Sequence, residues 1–218
     1  MAVCVLAVAG VSSAPALVVP SGNMAEPTNY VGWWRGATGV AVGPRHVLSA
    51  RHLAGVAGEG FQLDGQWYTA VRVTNHPQLD IALIVVDRDL PGYHPIASRI
   101  RKGDRVLLAG LGRCAAGIDR GGVSWSDLRT ERWGENVVAG AKKGLITVKL
   151  RKPRKALAHE AVFAHGDSGG GVFVGHSSGV PALAGIAVGA DGDGYSRYGA
   201  SGYALDVTGL MPWILANQ

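Results

Sequence analysis

Short apolar or alternating runs recur along the chain at Thr38–Val42, His46–Ser49, Trp67–Val73, Ile81–Val86, Arg105–Ala109, Leu145–Leu150, Gly171–Val174 and Leu183–Val188. Turn-forming clusters divide them: Gly43-Pro44, Asp64-Gly65, Asn75-His76-Pro77, Leu90-Pro91-Gly92, Gly121-Gly122 and Asp191-Gly192. Strand-length apolar runs bounded in this way predict an all-β chain built as an antiparallel barrel or sandwich. Helical spacing is confined to the tail after Thr208-Gly209, where Leu210, Trp213, Ile214 and Leu215 fall on a helix-like pattern. Arg113 to Glu160 carries no sharp pattern and is assigned only to further strands and loops. There is no internal repeat and no low-complexity linker.

Composition refines the outline. With 218 residues, 47% hydrophobic and 17% charged, the chain is long enough to bury a substantial core in one domain or two apposed halves. No uninterrupted apolar run reaches the roughly eighteen residues of a membrane span. Residues 1–16 are small and apolar and end in Ala14-Pro15-Ala16, which reads as a secretory signal peptide and a secreted or periplasmic protein. Removing that segment takes Cys4 with it and leaves Cys114 alone, so no internal disulfide is expected and stability rests on packing. Cys114 reads as a buried small hydrophobe.

The net charge is +5, and the excess is concentrated between Lys142 and Lys155, where seven Lys or Arg residues occur with no acid among them. A solvated strand edge explains such a run, since charge there discourages edge-to-edge pairing. A surface for polyanions is the other reading. No aromatic residues are interleaved to stack bases, so nucleic acid is not an expected partner.

The chemistry centres on Gly166-Asp167-Ser168-Gly169-Gly170. A serine among glycines sits where backbone N–H groups can be aimed at a reacting carbonyl. Its hydroxyl is a poor nucleophile at neutral pH and needs a base, which in turn needs an orienting group. Two contexts supply them: the apolar run Val47-Leu48-Ser49-Ala50-Arg51-His52, and Asp80 leading into Ile81-Ala82-Leu83-Ile84.

In the chain order His52, Asp80, Ser168, the sequence resembles the trypsin/chymotrypsin-like serine peptidases, as a bacterial-style member without disulfides. Gly36–Gly43 resembles the strand pair before that family's histidine, and Gly103–Gly110 the start of its second barrel. Tyr203–Val207 with Trp213-Ile214 resembles its last strand and terminal helix. The likeness runs from about residue 30 to the end. It implies two six-stranded antiparallel β-barrels and a short C-terminal helix, with residues 17–100 forming the first barrel and 101–218 the second. The site would lie in the crevice between them.

The resemblance further implies a serine endopeptidase, with His52 as base, Asp80 as its orienting acid, Ser168 as nucleophile and the N–H groups of Gly166 and Ser168 as oxyanion donors. It places Val162 at the bottom of the specificity pocket with Phe163 beside it, and Ala190 and Ser201 on the walls. Such an uncharged pocket suits small or medium apolar residues. His165 would stand at its rim. Val188 falls where the family has a serine that supports the aspartate, and the partner of buried Asp167 is left open, because no Ile-Val-Gly-Gly sequence is found. The expected partners are protein or peptide substrates, with no cofactor, no metal, no nucleic acid and a monomeric chain. Asp191-Gly192-Asp193-Gly194 resembles part of a calcium loop but lacks its later ligands, and reads as a turn. The competing reading is a noncatalytic or weakly active protein of the same fold, holding polyanions through residues 142–155.

Overall fold

The computed structural model describes residues 17–20, 24–25, 30–175 and 179–218. The segment read as a signal peptide, with Cys4, lies outside the described residues. Six strands come first: β1 (Val31–Trp34), β2 (Ala37–Gly43), β3 (His46–Ser49), β4 (Gly60–Leu63), β5 (Gln66–Asn75) and β6 (Ala82–Val86). They close into an antiparallel barrel in the order β1-β2-β3-β6-β5-β4. Period-two alternation builds it: along β5, Tyr68 and Ala70 point inward while Trp67, Thr69 and Val71 face out. Trp34, Phe61, Leu63, Tyr68 and Ile84 fill the barrel, each such side chain stabilising the fold by about 2 kcal/mol. β1 and β2 are joined by only Arg35 and Gly36, with φ of 50° and 74°. Two successive left-handed residues make the tight hairpin whose twist matches its strands.

Ten strands follow: β7 (Arg105–Gly110), β8 (Arg113–Ile118), β9 (Gly122–Arg129), β10 (Arg132–Val137), β11 (Gly140–Lys142), β12 (Leu145–Lys149), β13 (Gly171–Val174), β14 (Ala182–Ala190), β15 (Tyr195–Arg197) and β16 (Ser201–Asp206). Seven form a sheet in the order β10-β7-β13-β14-β16-β12-β11, and β15-β9-β8 form a smaller one. Among the described residues one α-helix is found, α1 (Met211–Ala216), close to the C-terminus. No helix among the described residues is long and apolar enough to cross a membrane. Apart from α1 and two short 3-10 turns, the described residues are all-β.

The halves are sealed by a shared apolar layer. Val40, Leu48 and Leu83 of the barrel pack with Leu107, Phe173, Ile186, Val207 and Ile214. Residues 17–19 lie along the second half: Val18 and Val162 exchange both backbone hydrogen bonds, at 3.1 and 3.2 Å. Cys114 is buried and forms no disulfide among the described residues; its thiol donates to the Leu128 carbonyl at 2.8 Å, and burial pushes it up to about 11. The basic stretch spans the hairpin of β11 and β12 at one end of the large sheet. Its Arg151 pairs with Glu160, whose side chain is only 2% exposed.

Candidate active site

Register brings the histidine and aspartate together. β3 runs antiparallel to β6 with Ser49 opposite Ala82, so the residues just after β3 lie beside those just before β6. His52 sits there on a short 3-10 turn, Arg51–Leu53, and the Arg51 N–H donates to the Asp80 carbonyl at 3.3 Å. One Asp80 oxygen accepts the His52 backbone N–H at 2.7 Å, and the other lies 2.6 Å from Nδ1 of the ring. The hydrogen bond to a carboxylate fixes Nδ1 as the protonated nitrogen and leaves Nε2 as an acceptor. Nε2 stands 2.8 Å from Ser168 Oγ. The side chains of His52 and Asp80 are 42% and 33% exposed, so the pair works at an open rim. Among the described residues, the bonds to the Asp80 carboxylate both come from His52; Val188, which carries no hydroxyl, lines the same cavity as His52 and Ser168.

Ser168 arrives from the second half, just before β13, on a loop that only glycine allows. Gly169 has φ of 84°, and a Cβ there would stand 1.9 Å from the Thr38 carbonyl oxygen. Gly166 has φ of 94°. The N–H groups of Gly166 and Ser168 donate to nothing among the described residues, whereas those of Asp167, Gly169 and Gly170 are all bonded. Two unspent donors on either side of Asp167, close to a serine hydroxyl, are the raw material of an oxyanion site.

Asp167, left open by the sequence, finds backbone partners. Its carboxyl oxygens accept the N–H groups of Gly112 at 2.8 Å and Ala164 at 2.7 Å. Burial nevertheless pushes its pKa up to about 7, against the pull of those bonds and of the nearby Arg129 charge.

The cavity at Ser168 has a volume of about 400 Å³. Ala164, His165, Val188, Gly189, Ala190 and Gly192 line it from the second half, and Arg35, Gly36, Ala37 and Leu53 line it from the first barrel with His52. Ala190 is thus in the wall. Val162 and Phe163 are 1% exposed and Ser201 7%, and none of the three lines the cavity. Val162 is held in its pairing with Val18, and Phe163 packs so close to Gly202 that a Cβ there would be 3.0 Å from its ring. Asp191 is occupied by the Ser201 N–H at 2.8 Å and the Tyr203 hydroxyl at 3.0 Å.

Three contributors escaped the sequence reading. Trp125 and Arg129, from β9, line the cavity, and Arg129 Nη1 donates to the Gly36 carbonyl at 2.6 Å across the cleft. Thr38, fully buried in β2, touches the nucleophile loop: its N–H donates to the Ser168 carbonyl at 2.9 Å.

The sequence profile of the trypsin-like peptidase domain matches residues 37–180. Among solved structures, a similar one is neuropsin, described as a serine protease expressed in the limbic system of mouse brain. It aligns over 93% of this chain and 97% of its own with a TM-score of 0.63 and 16% identity, a likeness of fold. No curated protein matches the sequence.

Proposed function

The chain belongs to the trypsin-like peptidase domain family, and on that premise we propose that it is a serine endopeptidase acting through His52, Asp80 and Ser168. Ser168 Oγ attacks the substrate carbonyl as its proton passes to His52 Nε2. Asp80 holds the ring and stabilises the imidazolium. The oxyanion of the tetrahedral intermediate is received by the N–H groups of Gly166 and Ser168, each such donor worth about 3 kcal/mol in acyl transfer. The intermediate collapses as His52 gives its proton to the departing amine, leaving an ester on Ser168. Water, deprotonated by His52, then hydrolyses that ester.

The acyl-side residue of the substrate enters the wall of Ala164, Val188, Gly189 and Ala190. These side chains carry no charge, which favours small or medium apolar residues over basic ones. The observation that carries the proposal is the 2.8 Å approach of His52 Nε2 to Ser168 Oγ, with Asp80 on the opposite ring nitrogen. No observation favours a noncatalytic polyanion binder.

A fluorophosphonate probe tests this directly. Wild type is expected to be labelled, and Ser168→Ala and His52→Ala are not. A folded wild-type protein that resists the probe would overturn the proposal.

A further inference from the structure

Beside the catalytic cavity lies a second one, of about 420 Å³, lined by Trp33, Arg35, Gly36, Glu59, Gly60 and Trp67. Arg35 and Gly36 line both, so the two cavities adjoin at the tight turn between β1 and β2. The tryptophans are conspicuous because the barrel does not bury them: Trp33 is 37% exposed and Trp67 56%. Trp33 pairs with Gln62 across β1 and β4, and Gln62 pairs with Trp67 across β4 and β5. Directly opposed residues share a face, so the two indoles flank Gln62 on the outer surface. The Trp67 ring lies over Gly60, where a Cβ would come within 2.7 Å of it.

The polar groups of the cavity are already committed. Arg35 ion-pairs with Glu59 and donates from Nε to the Leu53 carbonyl at 2.7 Å. The other Glu59 oxygen accepts the Val56 N–H at 2.9 Å. Arg129 fixes the floor through the Gly36 carbonyl. What the cavity offers is therefore aromatic surface over a glycine floor, with its one cation and one anion neutralising each other.

Its position says which part of a substrate it meets. His52 must protonate the leaving nitrogen, so the departing segment leaves on the His52 side, over Leu53, Arg35 and Gly36. The acyl portion lies on the opposite wall. We propose that the cavity between Trp33 and Trp67 is a specificity site for an aromatic or large aliphatic side chain on the leaving-group side of the scissile bond, a few residues beyond it. Two exposed indoles beside a reactive cleft are otherwise an unexplained apolar patch. A planar side chain laid against these indoles gains both apolar burial and ring contacts. This inference rests on the serine endopeptidase proposal.

Aminolysis of the acyl-enzyme isolates the site, because the leaving-group side is then occupied only by the added amine. The amine nitrogen attacks the Ser168 ester, the C–N bond forms, and the C–Oγ bond breaks. The amine proton passes through His52 to Ser168 Oγ, so no other reactant is needed. With an acyl p-nitrophenyl ester as donor, the partition between water and peptide amides is measured for Ala-Ala-Ala-amide, Ala-Phe-Ala-amide and Ala-Ala-Phe-amide. Wild type is expected to prefer one of the Phe peptides over the all-Ala peptide by about tenfold. Trp67→Ala and Trp33→Ala are expected to bring that ratio close to one, and Trp67→Phe to restore most of it. Val71→Ala, on the same strand and 55% exposed but outside the cavity, is expected to keep it. Ester turnover without a Phe preference, or a preference that survives Trp67→Ala and Trp33→Ala, would overturn this inference alone. Absence of both ester turnover and probe labelling would overturn the endopeptidase proposal and this one with it.

Discussion

The N–H of Thr38 donates to the carbonyl of Ser168 at 2.9 Å, joining the first barrel to the Gly166–Gly170 loop by a direct backbone bond. The same residue accepts the Leu111 N–H on its hydroxyl at 3.0 Å and reaches the Gly166 carbonyl at 3.5 Å. Two segments, the Gly166–Gly170 loop and the turn after β7, therefore converge on one buried threonine. Thr38→Val keeps the volume and the backbone bond but deprives Leu111 of its acceptor. The expected cost is about 1 kcal/mol of stability, read from the urea midpoint, with a fall in kcat larger than any change in KM. A kcat unchanged alongside the lost stability would mean that the hydroxyl supports the fold and not the nucleophile loop.

Asp80 and His52 allow a sharper expectation. The carboxylate accepts from Nδ1 at 2.6 Å, and an asparagine in its place turns an amide N–H toward that nitrogen. The ring then carries its proton on Nε2, facing Ser168, and cannot accept another. Asp80→Asn is expected to lower kcat by about 10⁴-fold, the scale for losing the tautomer-fixing acid, with the fold unchanged by circular dichroism. A loss of less than tenfold would remove Asp80 from the mechanism.

The parts of the site that were legible are those in which chemistry and strand pattern coincide. His52 follows an apolar run and Asp80 precedes one, and those two runs are paired strands, β3 and β6. Ser168 is framed by glycines whose backbone angles the loop requires. Thr38 was not legible, because one polar residue within Ala37–Gly43 reads as an interruption of the pattern rather than as a joint between halves. Arg113–Glu160 stayed opaque for a different reason. β8 and β9 pair with register shifts on both sides of Ala115, and their outer ends are exposed, so no period of two survives in the sequence. Trp125 and Arg129 reach the cleft from that irregular ribbon. Residues 17–19 are too few to announce a strand, yet Val18 pairs with Val162 through both backbone hydrogen bonds.

Ala190 is the wall residue on which selectivity for the acyl side is expected to turn. It lines the cavity beside Gly189 and Val188, so Ala190→Val adds two methyl groups to the space a substrate side chain would fill. Cleavage after leucine or phenylalanine is expected to lose about tenfold or more in kcat/KM, with cleavage after alanine little affected. Matched peptide substrates differing only at that residue measure the ratio. An equal loss for all three residues would place the acyl side chain elsewhere.

Asp167 makes stability depend on pH in an unusual direction for a carboxyl group. Its pKa is near 3.8 in the unfolded chain and is pushed up to about 7 in the folded protein, chiefly by burial. Below pH 3.8 the group is protonated in both states and its contribution is fully present. As the pH rises, the unfolded chain ionises first, so unfolding releases a proton and stability falls until the folded group also ionises near pH 7. The whole loss is about 4 kcal/mol by linkage. Asp167→Asn cannot titrate, although its amide satisfies only one of the N–H groups of Gly112 and Ala164. It is expected to be less stable than wild type at pH 4.5 and to close much of that gap by pH 7.5. Urea midpoints of the two proteins across that range give the difference, in which the titration of every other group cancels. Parallel curves would mean that Asp167 is already ionised at pH 4.5, held by its two backbone donors and the Arg129 charge.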